Sequence, residues 1–131
     1  MNYNILIILI CFFIGSSQTD IVNEQKAEEK IIKILFVGNS LTYYNNLPQM
    51  VTDYAWQYNI EINSDIIAKP NYAIIDHLAE GEVHELIKTG NYDYVIIQQG
   101  PSSQEDGKRM LIEGGKNYSQ LCKKYNSKLV Y

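Results

Sequence analysis

Two apolar runs, each closed by turn residues and followed by a helix-like stretch, limit what this chain can fold into more than any other feature. "IIKILFV", residues 31–37, consists mostly of β-branched and large apolar residues and stops at Gly38-Asn39-Ser40. Such a run suits a strand buried on both faces. Beyond the turn, "LPQMVTDYAWQYN" places Leu47, Met50, Val51, Tyr54, Ala55 and Tyr58 at three- and four-residue steps, which predicts a helix with that stripe turned to a core. Trp56 is expected in the core as well.

The pattern repeats. "IEINSDIIA" (60–68) alternates as a strand does, and "YAIIDHLAEGEVHELIKTG" (72–90) reads as one or two helical pieces, broken near Gly81 and ended by Gly90. "YDYVIIQ" (92–98) is the second strongly apolar strand, residues 104–126 predict a helix interrupted or frayed at Gly114-Gly115, and "KLVY" (128–131) starts another strand. Strands alternating with helices imply βαβ units, hence an α/β protein with a parallel sheet and right-handed crossovers. The last strand is followed by neither a turn nor a helix. A domain incomplete at its C-terminus is therefore expected, with a sheet edge and some helix-facing surface uncovered.

The first residues follow a different grammar. An apolar run from Ile5 to Ile14 precedes the small residues Gly15, Ser16 and Ser17, as in a signal peptide. It is short for a bilayer span, which needs about 20 apolar residues. Residues 1–17 are read as a signal peptide, 18–30 as a polar linker and 31–131 as the folded part, so the protein is expected to be exported to the periplasm or outside the cell, with no stable membrane span after cleavage. An uncleaved anchor is the alternative. A lipoprotein site at Cys11 is disfavoured by Ile8-Leu9-Ile10 before it.

Charge and composition exclude several partners. The 131 residues carry 11 basic and 15 acidic side chains, a formal net charge of −4, and no Lys/Arg cluster with interleaved aromatics, so nucleic acid is not an expected partner. Removal of Cys11 with the signal would leave Cys122 alone, without an internal disulfide. There is no CxxC and no HExxH, and His77 and His84 are the only imidazoles, so no metal site is expected. Oligomeric state is not legible.

Open parallel sheets bind ligands at the carboxyl ends of their strands. That selects Gly38-Asn39-Ser40, Lys69-Pro70-Asn71 and Gln98-Gln99-Gly100-Pro101-Ser102, expected on one rim. A Ser or Asn in a strand-to-helix turn is most often an N-cap. A serine there also has free backbone N–H groups beside it, and a helix dipole that favours an oxyanion. The turn holds one glycine and no Walker or G-x-G-x-x-G pattern, which argues against a flavodoxin-like nucleotide or phosphate binder.

The wider strings carry a resemblance. "ILFVGNSLTYYNNLPQM" resembles the first motif of the SGNH hydrolases, the GDSL-type esterases and lipases, in the variant with Asn before Ser. "YDYVIIQQGPSS" is similar to the third-strand motif of one branch of that superfamily. The resemblance implies a three-layer α/β/α flavodoxin-like fold, incomplete at the C-terminus, and a serine hydrolase acting on esters, with an acetylated carbohydrate or small ester as the expected substrate and no cofactor.

Residue by residue, the resemblance implies that Ser40 is the nucleophile and that its N–H is one oxyanion donor. Asn71 stands where the family's second motif has a glycine, and tolerates the left-handed region better than most residues. The third donor is implied at Gln98, with Gln99 the alternative by one register. Asn39, Tyr43 and Asn45 are possible rim residues. The family's C-terminal Asp-x-x-His does not occur. Asp76-His77 has the wrong spacing and suits a surface or packing role, and His84 falls on an exposed helix face. Without a base, a serine hydroxyl is a poor nucleophile, so the chain alone is expected to be nearly inert. A non-catalytic exported carbohydrate-binding module on the same scaffold is the alternative. Glu80, Glu82 and Glu85 read as a solvated helix face.

Overall fold

The computed structural model describes residues 30–131. The signal peptide, and the linker as far as residue 29, lie outside the described residues. The chain runs β1 (Ile32–Gly38), α1 (Ser40–Tyr43), α2 (Leu47–Trp56), β2 (Ile62–Ala68), α3 (Ile74–Glu80), α4 (Glu82–Thr89), β3 (Tyr94–Ile97), α5 (Glu105–Lys124) and β4 (Lys128–Val130). The strands form one sheet in the order β2-β1-β3-β4, and every pairing is parallel. This is an α/β architecture compatible with a flavodoxin-like sheet, and its order reverses between β1 and β3.

Register decides which side chains share a face. Phe36 lies opposite Ile66 on β2 and Ile96 on β3, whereas Val37 lies opposite Ile67 and Ile97. The Leu35, Val37, Ile67, Val95 and Ile97 side packs against Ile74, Val83, Ile87, Tyr118 and Cys122 to form the main core. Each Val, Leu or Ile among them contributes roughly 1.5–3 kcal/mol when fully buried. Helices α3, α4 and α5 cover this face. Burial raises the Cys122 thiol to about 11, so it stays protonated and unreactive at neutral pH.

The other face is more thinly covered, and here two expectations are corrected. Within α2 only Pro48 is buried. The side holding Pro48, Val51, Thr52 and Ala55 turns inward, while Met50, Tyr54 and Tyr58 of the expected core stripe are exposed, the last two by 62% and 61%. Trp56, also expected inside, is 70% exposed. The helix sits over the edge strand β2, so contact with the sheet is narrow. Tyrosine and tryptophan tolerate the outside because each keeps a polar tip in water. Ile66 and Val130, on the same side of the sheet, are also exposed.

The expected break at Gly114-Gly115 is likewise absent: α5 is continuous from Glu105 to Lys124. Both glycines are buried because neighbours approach closely. A Cβ on Gly114 would lie 2.8 Å from Cδ1 of Ile74, and one on Gly115 would lie 2.8 Å from the Tyr131 ring. Helix propensity yields here to packing. The break at Gly81, with φ of 82°, falls where the sequence puts it.

Candidate active site

The carboxyl ends of β1, β2 and β3 meet on one rim. A cleft of about 540 Å³ opens there, and Asn39, Ser40, Asn71, Gln99, Gly100 and Pro101 are among the residues that line it. Tyr72, Asp76, Gln104 and Met110 complete much of the wall. Tyr43, at the end of α1, and Asn45, just after it, do not line it; both are exposed. A larger concavity of about 610 Å³ lies at the amino ends of the strands, beside Lys30, Asp93 and Lys128. None of the strand-end motifs reaches it.

Ser40 is the first residue of α1, and the capping role falls to Asn39, whose side-chain oxygen accepts the Leu41 N–H at 3.1 Å. The Ser40 hydroxyl is thus not spent on capping. Helix α1 has only 4 residues, so the expected help from a helix dipole is small: the macrodipole is the sum of aligned peptide units. What the turn offers an anion is its backbone N–H groups.

Hydrogen bonds to the segments after β2 and β3 fix this turn. Asn39 is buried; its N–H donates to Oε1 of Gln98 at 3.1 Å and its Nδ2 donates to the Tyr72 carbonyl at 3.1 Å. The Thr42 hydroxyl donates to the same Gln98 oxygen at 3.0 Å. Gly38 makes room for this network, since a Cβ there would stand 2.2 Å from Oγ1 of Thr42 and 2.8 Å from Oε1 of Gln98. Thr42 was not legible as a site residue; its one signal is a hydroxyl two positions after Ser40 on a helix too short to bury it by periodicity.

Gln98 and Gln99 part company. Gln98 is absent from the cleft wall, its oxygen is committed to the turn, and its Nε2 is buried without a partner among the described residues. Gln99 lines the cleft. Its Oε1 accepts the Ile74 N–H at 2.9 Å, which orients the amide and leaves Nε2 with long contacts to the Gly100 carbonyl (3.4 Å) and the Met110 sulfur (4.0 Å).

Asn71 has φ of 61°, in the left-handed region that asparagine tolerates. Beside it, Glu80 takes hydrogen bonds from Lys69 and Tyr72. These hold its carboxyl below the ordinary range and push the Tyr72 hydroxyl up. Asp76 accepts the Ala73 N–H at 2.8 Å, closing the first turn of α3. His77 is buried, with Nε2 2.7 Å from the Gly38 carbonyl, and His84 is exposed beside Tyr125. Neither imidazole lines the cleft. Among the described residues no group of His, Cys, Asp and Glu is arranged to hold a metal ion, and no helix is long and apolar enough to cross a membrane.

Comparison with models of known protein families, with curated proteins and with solved structures returned no match.

Proposed function

We propose that the chain carries the nucleophile-bearing part of an exported SGNH-type ester hydrolase, with Ser40 as nucleophile. The observation that carries this is the convergence of Ser40, Asn71 and Gln99 on one cleft at the reversal of strand order, where open α/β sheets place their ligands. Ser40 Oγ attacks an ester carbonyl. The N–H groups of Ser40 and Asn71 and the Gln99 side-chain amide hold the resulting oxyanion. Gln98, the other register, anchors the turn instead. An acyl-serine forms, the alcohol leaves, and water releases the acid. The proton is carried by a His from outside these 131 residues, because His77 and His84 both stand away from the cleft. No cofactor enters these steps.

The cleft wall suits a neutral, hydroxyl-rich ester. Besides the hydroxyls of Ser40 and Tyr72, its polar side chains are the amides of Asn39, Asn71, Gln99 and Gln104 and the carboxylates of Asp76 and Asp106, with no Lys or Arg among them. Amides and carboxylates bind sugar hydroxyls, so an acetylated carbohydrate is the favoured substrate class. The missing imidazole also favours a second reading, a carbohydrate-binding module that keeps the scaffold without turnover.

A fluorophosphonate probe separates the two. The chain alone should label slowly at Ser40, faster with added imidazole as an external base, and not at all in Ser40→Ala. Absence of Ser40-dependent labelling, with imidazole present, sinks the hydrolase reading and leaves the binding module.

A further inference from the structure

We infer that His77 is a positioning residue, holding the Ser40 turn and the Asn71 loop at a fixed separation. This rests on the reading of Ser40 and Asn71 as oxyanion donors. The two segments are tied by bonds that run both ways. From α3, His77 Nε2 meets the Gly38 carbonyl at 2.7 Å; from the turn, Asn39 Nδ2 donates to the Tyr72 carbonyl at 3.1 Å. Gly38-Asn39 immediately precedes Ser40, and Tyr72 immediately follows Asn71. The pair of bonds therefore brackets the proposed nucleophile and second donor.

The chemistry of the ring fixes its state at this contact. A carbonyl only accepts, so Nε2 carries the proton and donates. Nδ1 is buried and has no partner among the described residues, which leaves the Gly38 contact as the ring's one hydrogen bond there. The ring is 1% exposed and lies 5.0 Å, centroid to centroid, from the Tyr72 ring, so it cannot turn away into water. A catalytic base would need its lone pair in the cleft. This imidazole instead directs its Nε2 proton to the Gly38 carbonyl. The tie therefore acts as a strut between the two segments.

An oxyanion site depends on such fixed spacing, because donors act best when already aimed at the charge that develops. Amide hydrogen exchange tests the strut without requiring any reaction. In His77→Leu, exchange at Asn39 and Leu41 should quicken about tenfold relative to Val95 in the central sheet, the effect of losing one buried hydrogen bond on local opening. His77→Gln places an amide N–H near the same carbonyl and should stay within about threefold of the native protein. Equal changes at Val95, or a Gln variant as impaired as the Leu variant, would overturn the inference.

Should the Leu variant not fold, the Gln variant and the native ring decide. Long-range nitrogen spectra should find the His77 proton on Nε2, coupled through the hydrogen bond to the Gly38 carbonyl carbon; a proton on Nδ1 alone overturns it. None of these readouts needs Ser40 to react. A failure of probe labelling with normal exchange behaviour would therefore count against the hydrolase reading alone.

Discussion

The backbone N–H of Asn39 donates to the side-chain oxygen of Gln98 at 3.1 Å, joining the end of β1 to the end of β3 across the point where strand order reverses. Gln98→Ala removes the acceptor for both this N–H and the Thr42 hydroxyl. Its expected cost is about 1–3 kcal/mol, the penalty for leaving a buried donor unpaired, measured by chemical denaturation. Gln99→Ala should behave differently: imidazole-assisted phosphonylation of Ser40 should fall about 10²-fold, the scale of losing one oxyanion donor. If Gln98→Ala slowed labelling more than Gln99→Ala at matched folded fraction, the two roles would have to be exchanged.

That division of labour was the part of the site least open to sequence reasoning. The run "YVIIQQG" announces a buried strand, and its alternation puts Gln98 and Gln99 on opposite faces. Nothing in the string says which face the cleft opens on. The answer depends on α3, whose first N–H at Ile74 reaches Gln99, and on α1, whose Thr42 reaches Gln98. The strands and the Gly81 break were legible because β-branched runs and turn residues act locally. The face of α2 was not. Met50, Tyr54 and Tyr58 satisfy a helical period as well as Pro48, Thr52 and Ala55 do, and the choice is made by where the helix rests on the sheet.

Gly114 offers a test of packing against propensity. Replacing it with Ala gains about 1 kcal/mol of helix propensity. It also drives a Cβ to 2.8 Å from Ile74 Cδ1 and 2.9 Å from Cγ1, in a core where Ile74 is fully buried. Overpacking of this kind costs about 1–3 kcal/mol. Gly114→Ala should therefore be neutral to destabilising, by up to about 2 kcal/mol. Pairing it with Ile74→Val removes the nearest atom, so the double variant should be more stable than the sum of the singles. A plain gain in stability from Gly114→Ala would discard the close-approach account.

Asp93 makes stability depend on acid. Its carboxylate pairs with Lys30 and accepts the Lys33 N–H at 3.0 Å. Both hold its folded value below the ordinary 3.8, the Lys30 bond most strongly. A carboxyl depressed on folding contributes its full stabilisation above the unfolded value and loses it as pH falls through the folded one. Thermal melts between about pH 5 and pH 2 should fall more steeply in the native protein than in Asp93→Asn. Parallel curves would mean that the exposed Lys30 pair is screened to nothing.

The single tryptophan gives the most direct check on α2. Trp56 is 70% exposed, on a helix whose inward side is Pro48, Val51, Thr52 and Ala55. Its fluorescence should resemble that of indole in water and should be quenched by acrylamide almost as readily in the folded as in the unfolded protein. Trp56→Gln removes little buried area, so it should change stability by less than about 0.5 kcal/mol. A blue-shifted, protected emission would show that the outer side of α2 is covered in solution. The stripe of Met50, Tyr54 and Tyr58 is then the surface to truncate next, one residue at a time, following the same emission to locate what lies against it.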